Sequence, residues 1–159
     1  MGGADHLGEP VITIAAMAIA DADDFAVLRH ALWPNDSVAE HREELVKALA
    51  APERCVNLIA RWNGGTAVGF AEASIRHDYV NGCHTSPAGF LEGIYVDPHY
   101  RREGVASQLV LAVEDWARRN NCTELASDAA LDNDQSHGMH DALGFIETQR
   151  VVYFRKVLL

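Results

Sequence analysis

The sequence of 159 residues predicts a three-layer α/β protein with a mixed central β-sheet. Three observations predict it. Short β-prone apolar runs are interspersed with segments whose apolar residues recur at helical spacing. Asn63-Gly64-Gly65 lies between two such runs, and Asn-Gly in that setting signals a β-hairpin. In mid-chain an apolar strand pattern stops at Asp97-Pro98, passes through a short basic turn, and continues as an amphipathic helix.

The elements follow in order. Met1 to Pro10 is polar and glycine-rich, without the basic start and apolar core of a signal peptide. It reads as a flexible N-terminal tail on a cytoplasmic protein, ahead of a single domain over residues 11–159. Val11 to Met17 reads as a first strand. Asp21 can cap a helix whose Phe25, Leu28 and Leu32 share a face, and Pro34 breaks that pattern. Ser37 with Glu40 forms a capping box ahead of a second helix that carries Leu45 and Leu49. Val56 to Trp62 and Ala67 to Ile75 are the hairpin strands, His77 to Pro87 is a polar loop, and Phe90 to Val96 is an interior strand. Val105, Leu109, Ala112, Val113, Trp116 and Ala117 form the apolar face of the next helix, which Asn120-Asn121 ends. Thr123 to Ala130 reads as a strand and a short helix follows Leu131-Asp132-Asn133. Gly144 is a left-handed cap, and Phe145 to Thr148 and Arg150 to Val157 read as the last strands.

Composition narrows the function. The apolar fraction of 48% and charged fraction of 23% are those of an ordinary globular protein, and no run of about 18 apolar residues predicts a membrane span. A net charge of −10 argues against a nucleic-acid partner held through phosphates; it suits a cationic partner, or solubility alone. Cys55, Cys83 and Cys122 are odd in number and far apart, so they read as reduced thiols rather than a disulfide or metal framework.

The turn Arg101-Arg102-Glu103-Gly104-Val105-Ala106 is neither a Walker A loop nor a dinucleotide fingerprint. It matches Arg/Gln-x-x-Gly-x-Gly/Ala at the start of a helix. There the backbone N–H groups and the helix dipole favour an anion, and the two arginines can add charge-assisted contacts. The alternative is a helix start with two solvated arginines. A second group is acidic: Glu72, Asp78, Glu92 and Asp128 fall near strand ends or loops. Carboxylates beside an anion cradle call for a cation or a proton to meet, or else each is solvated or paired with an arginine such as Arg76 or Arg150.

The strand, the Val-Asp-Pro break, the turn, its helix and Leu143-Gly144-Phe145 together resemble the GNAT acetyltransferase superfamily, over most of residues 11 to 158. The resemblance implies a splayed strand pair in a sheet with helices on both faces, and acetyl-CoA as co-substrate. It implies that Ile94, Tyr95 and Val96 touch the pantetheine and that the Arg101–Ala106 amides, Gly104 among them, hold the pyrophosphate. Longer blocks resemble the aminoglycoside 6'-N-acetyltransferases: Glu72 to Pro87, Phe90 to Val96, Ala126 to Asn133, Gly144 to Thr148, and Trp33-Pro34. By that resemblance Trp33, Glu72, Tyr79, Glu92 and Asp128 line the site of a cationic aminoglycoside, and Asn133 contacts acetyl-CoA.

The activity so implied is acetyl transfer from acetyl-CoA to the 6'-amine by direct attack in a ternary complex, conferring antibiotic resistance. Asp128 and Glu92 are the candidates to accept the amine's proton or orient it, with positioning carrying much of the rate. A backbone N–H near Val96 can stabilise the oxyanion. Many superfamily members have a tyrosine four residues before the Gly-Phe, able to protonate the leaving thiolate. This sequence has His140 there, whose ordinary pKa suits the role; packing on the last helix is the alternative, and Tyr153 is another candidate. His137 and His140 lack an obvious third ligand, so no metal is expected. Other functions stay open: acetylation of another small amine or peptide N-terminus, or a non-catalytic acyl-CoA or aminoglycoside-binding module. The resemblance implies a homodimer, with Gln149 to Leu159 as a contact.

Overall fold

Five strands hydrogen-bond in chain order in the computed structural model, which describes residues 8–159. They are β1 (Ile12–Ala16), β2 (Cys55–Trp62), β3 (Thr66–Arg76), β4 (Ala88–Val96) and β5 (Leu125–Ser127). The first three pairings are antiparallel and β4–β5 is parallel, so the sheet is mixed as the sequence predicts. The helices are α1 (Ala22–Leu32), α2 (Val38–Ala48), α3 (Val105–Arg119) and α4 (Asp134–Ala142).

Local chemistry explains several of these boundaries. At the β2–β3 turn Asn63 and Gly64 both have positive φ, +49° and +70°, the conformation that Asn-Gly tolerates best. At α2 the Ser37 hydroxyl accepts from Glu40 N–H at 3.2 Å, and Glu40 accepts from Ser37 N–H at 2.7 Å. Two helix-end donors are thereby satisfied.

Strand alternation sends neighbouring side chains to opposite layers. Leu58 and Ala60 join Val68, Ala71, Leu91 and Val96 in a core closed by Val105, Leu109, Val110 and Val113 of α3. Ile59 joins Phe70 on the other face, against Phe25 and Leu28 of α1 and Leu45 of α2. The Phe25 and Phe70 rings lie 4.9 Å apart, both without solvent exposure. Each such buried side chain contributes roughly 1.5–3 kcal/mol. Helices thus cover both faces.

Four expectations need correction. Asp21 precedes α1 but does not cap it through its side chain; its carboxylate accepts from Ala18 N–H at 2.9 Å and pairs with Arg61 at 2.7 Å. It closes a 3-10 turn over Ile19–Asp21 instead. The strand expected over Thr123 to Ala130 is confined to Leu125–Ser127, because the chain leaves β4 after the Leu91–Ser127 pair. Phe145 to Thr148 and Arg150 to Val157 form no strands. Gly144 turns the chain with φ +86°, Phe145 packs against the α3 core, and residues 146–159 then run exposed with no strand edge beside them. β-prone residues make a strand only where a partner edge meets them. Of the expected N-terminal tail, residues 1–7 lie outside the described residues, while 8–10 are exposed and irregular.

Candidate active site

β4 is the element around which the site is built. Its register against β3 runs Glu72↔Gly93 and then Ala73↔Leu91, which leaves Glu92 as the extra residue of a β-bulge. A bulge bends the strand and re-aims its side chain. On its other edge β4 pairs with β5 only through Gly89, Phe90 and Leu91. Beyond Leu91 the two strands separate into a V.

Main-chain direction in the V follows from one hydrogen bond. Asp97 N–H donates to Val68 O of β3 at 2.8 Å, so the alternate residues Val96 and Ile94 turn their N–H and C=O toward the open side. Tyr95 turns its main-chain groups to β3. The Val96 carbonyl already accepts from Arg101 Nε at 3.0 Å, while its N–H stays on the open side.

At the end of β4 the turn has the form of an anion cradle. Arg102 and Gly104 both take left-handed conformations, φ +65° and +85°. Gly104 is the N-cap of α3 and brings no side-chain acceptor to the first-turn amides. The N–H groups of Val105 and Ala106 are therefore uncapped and face the positive end of a 15-residue helix. Open strand amides followed by an uncapped helix start fit a pantetheine diphosphate. Arg101 is drawn back, its guanidinium 5.9 Å from the Tyr95 ring centre, whereas Arg102 and Glu103 are exposed on the turn.

Midway along β4, at Glu92, a cleft of about 380 Å³ is lined by Arg29, Trp33, Asp36, His41, Glu44, Glu72 and Glu92. Four carboxylates thus face one guanidinium. Glu72 is buried, and its Oε1 lies 2.8 Å from Arg29 Nε. The N–H is not aimed at that oxygen, so the contact is an ion pair rather than a hydrogen bond. Arg29 also pairs with Glu44 at 3.0 Å, and its guanidinium lies 5.3 Å from the Trp33 ring centre. Burial pushes the Glu72 carboxyl up to about 7; Arg29 opposes this, and Glu44 and Glu92 add to it. Glu92 Oε1 accepts from Ser74 Oγ at 2.6 Å and from Arg76 at 2.9 Å, so the pairing with Arg76 weighed from the sequence is present. His41 donates through Nε2 to the Trp33 carbonyl, 2.9 Å away; since a carbonyl only accepts, Nε2 carries the proton.

Of the residues that the resemblance groups at an aminoglycoside site, Trp33, Glu72 and Glu92 line this cleft. Tyr79 is 77% exposed in the loop and lies outside the lining of this cleft. Asp128 is exposed just past β5, on the far arm of the V. Asn133 caps α4, its Oδ1 accepting from Ser136 N–H at 3.1 Å. His140 points into the fork: Nε2 lies 2.7 Å from Ser127 Oγ, and Nδ1 lies 2.7 Å from Ser136 O. His137 Nε2 is held 2.9 Å from Ala130 O.

Sequence reasoning did not single out Arg29, Asp36, His41, Glu44 or Ser127. Arg29 carried one usable signal, its position one helical turn before Trp33, which brings the two side chains together. Ser127 carried none, since a lone strand serine has no spacing to read.

Comparison with known proteins adds the family. The model of the acetyltransferase (GNAT) family matches residues 22–145. An aminoglycoside N(6')-acetyltransferase type 1 of Acinetobacter genomosp. 13 is 53% identical over 133 residues, 84% of this chain and 90% of that protein. The crystal structure of an aminoglycoside antibiotic 6'-N-acetyltransferase of Acinetobacter baumannii superposes with a TM-score of 0.86 at 47% identity, covering 93% of this chain and 99% of that one. AAC(6')-Iy in complex with a bisubstrate analogue, CoA-S-monomethyl-acetylneamine, matches with a TM-score of 0.86 at 43% identity, covering 93% and 99%.

Proposed function

Because this chain belongs to the GNAT acetyltransferase family, we propose that it transfers the acetyl group of acetyl-CoA to the 6'-amine of aminoglycosides and so confers resistance. The observation that carries the proposal is the meeting of two subsites on β4. The uncapped α3 start lies past its end, and a cleft with four carboxylates and a tryptophan wall opens at Glu92, midway along it. An aminoglycoside presents several ammonium groups on a sugar frame, and this cleft offers complementary charge and a ring for a sugar face. Relatives of about half-identical sequence bear that activity in their names.

Attack is direct, in a ternary complex. Ile94, Tyr95 and Val96 run beside the pantetheine, with the Arg101–Ala106 turn at the diphosphate and Asn133 and His140 on the facing helix. The Val96 N–H, turned to the open side, supplies a donor to the developing oxyanion. Trp33, Glu72, Tyr79, Glu92 and Asp128 hold the aminoglycoside. Glu92 or Asp128 takes the amine's proton, directly or through water. Ser74 and Arg76 fix the Glu92 carboxylate, so its second oxygen is the one available to an amine.

We also assign a homodimer in the cytoplasm. Val152, Tyr153, Phe154 and Leu158 lie exposed on an irregular segment, and β5 ends the sheet with an open edge. A second copy's residues 149–159 are the partner for that edge. The net charge of −10 disfavours a nucleic acid held through its phosphates, and among the described residues no helix is long and apolar enough to cross a membrane.

Thiol release from acetyl-CoA with a panel of amines tests the activity. Release with kanamycin or tobramycin is expected. Release only with spermidine or peptides points to another amine, and binding of either ligand without release points to a non-catalytic module.

A further inference from the structure

Two histidines brace the corner between α1 and α2, and the roles assigned so far use neither. The corner, residues 33–37, forms one wall of the amine cleft: Trp33 opens it, Asp36 stands near its end, and both line the cleft. His41, on α2, reaches back to the α1 side, where Nε2 donates to the Trp33 carbonyl at 2.9 Å. His30, on α1, reaches forward to the α2 side, where Nδ1 donates to the Asp36 carbonyl at 2.8 Å. The two rings meet edge-on, their centroids 6.2 Å apart. Each helix thus holds the far end of the corner through one imidazole.

The bond to Trp33 bears on where its indole points. Trp33 is the C-cap of α1, with φ −124° and ψ 80°, so its carbonyl has no partner within the helix. Its N–H is already held by Arg29 O at 2.8 Å. His41 takes the carbonyl, and both sides of the residue are then fixed. The indole it aims packs on the backbone of Gly93, with the Phe70 ring centre 5.9 Å away. Packing alone does not account for a histidine at position 41. The residue is 1% exposed, and Nδ1 is buried with no hydrogen-bond partner among the described residues. A phenylalanine would fill the same space and leave no polar side-chain atom unpaired. What the imidazole supplies beyond a phenyl ring is the Nε2–H.

We propose that His41 is a positioning residue for the aminoglycoside: it holds the Trp33 carbonyl, and through it the indole wall, while His30 holds the Asp36 end of the same corner. The inference rests on the acetyl-transfer reading above for the identity of the ligand. It separates the two substrates. α1 and α2 cover one face of the sheet, and α3, whose start forms the diphosphate cradle, covers the other. Loosening the corner therefore reaches the amine and leaves acetyl-CoA in place.

His41→Phe keeps a buried ring and removes the donor. The KM for kanamycin is expected to rise about tenfold while the KM for acetyl-CoA stays within about twofold, since only one substrate leans on the displaced wall. His41→Gln, whose amide donates from nearly the place of Nε2, is expected to bring the kanamycin KM back to within about threefold of wild type. Trp33→Ala/His41→Phe is expected to bind kanamycin no worse than Trp33→Ala, because His41 acts through the indole. His30→Ala, at a half-buried site, unties the Asp36 end alone; an increase of about threefold with the same split is expected, so the test stands even where His41→Phe does not fold. Independently of turnover, ring-nitrogen NMR of the ligand-free protein is expected to show neutral His41 with its hydrogen on Nε2 and neutral His30 with its hydrogen on Nδ1. Wild-type KM in a folded His41→Phe, equal losses for both substrates, additive losses in the double variant, or His41 with its hydrogen on Nδ1 overturns the proposal. Calorimetry with kanamycin reads the same ratios without turnover. A wild-type protein that binds kanamycin but releases no thiol with it removes the acetyl-transfer reading alone, and one that does neither removes both.

Discussion

The indole of Trp33 rests on the bare backbone of Gly93: a Cβ at Gly93 would stand 2.5 Å from both Cζ2 and Cη2 of the ring. Gly93 faces Glu72 across the ladder and follows the bulged Glu92. One missing side chain thus lets the wall of the cleft close onto the strand that carries its carboxylates.

Gly93→Ala forces the indole away from β4. Such overpacking costs about 1–3 kcal/mol of stability. The KM for kanamycin is expected to rise at least about tenfold, as a displaced wall spoils positioning. Acetyl-CoA affinity, set chiefly by the α3 start beyond Val96, is expected to hold. Calorimetry for each ligand separates the two effects.

Glu72 makes stability fall with pH. Its folded pKa is raised from 4.5 to about 7, so between those values the folded protein holds a proton that the unfolded chain has lost. Stability contributed by that proton is present below about 4.5 and is gone above about 7. Glu72→Gln removes this dependence. Urea unfolding at pH 5 and pH 8 is expected to shift the stability difference toward the variant by on the order of 3 kcal/mol. A constant difference contradicts the raised pKa.

Glu92→Gln keeps the shape of a side chain held by Ser74 and Arg76 and removes its charge. Asp128→Asn changes an exposed residue, so stability stays within about 0.5 kcal/mol. Steady-state assays with kanamycin are expected to show kcat/KM lowered about 10²-fold or more in at least one of them. Unchanged rates in both remove the carboxylates from the proton transfer.

Removal of residues 149–159 is expected to turn a dimer into a monomer, because the exposed Tyr153, Phe154 and Leu158 go with it. Light scattering after size-exclusion chromatography reads this directly. A full-length chain that runs as a monomer at micromolar concentration contradicts the assignment.

Local features were legible in the sequence. Asn63-Gly64, the Ser37–Glu40 box and the break at Asp97-Pro98 each act within a few residues, and each stands where its pattern put it. Trp33, Glu72 and Glu92 line one cleft, and only the resemblance to the family grouped them, since no local spacing joins them. The Arg29–Glu72 ion pair and the Ser127–His140 contact depend on strand register and on how helices lie over the sheet, which no local pattern encodes. The C-terminal residues read as strands because their composition suits one; composition does not show whether an edge is within reach in the same chain.

The most direct test of the central claim uses two aminoglycosides that differ only at the 6' carbon, one with an amine and one with a hydroxyl. Thiol release from acetyl-CoA is measured with each, and the product is located by NMR. The account predicts rapid release with the amine, an acetyl group on the 6' nitrogen, and release at the background rate with the hydroxyl compound. Equal release with both, or an acetyl group on another nitrogen, would contradict it.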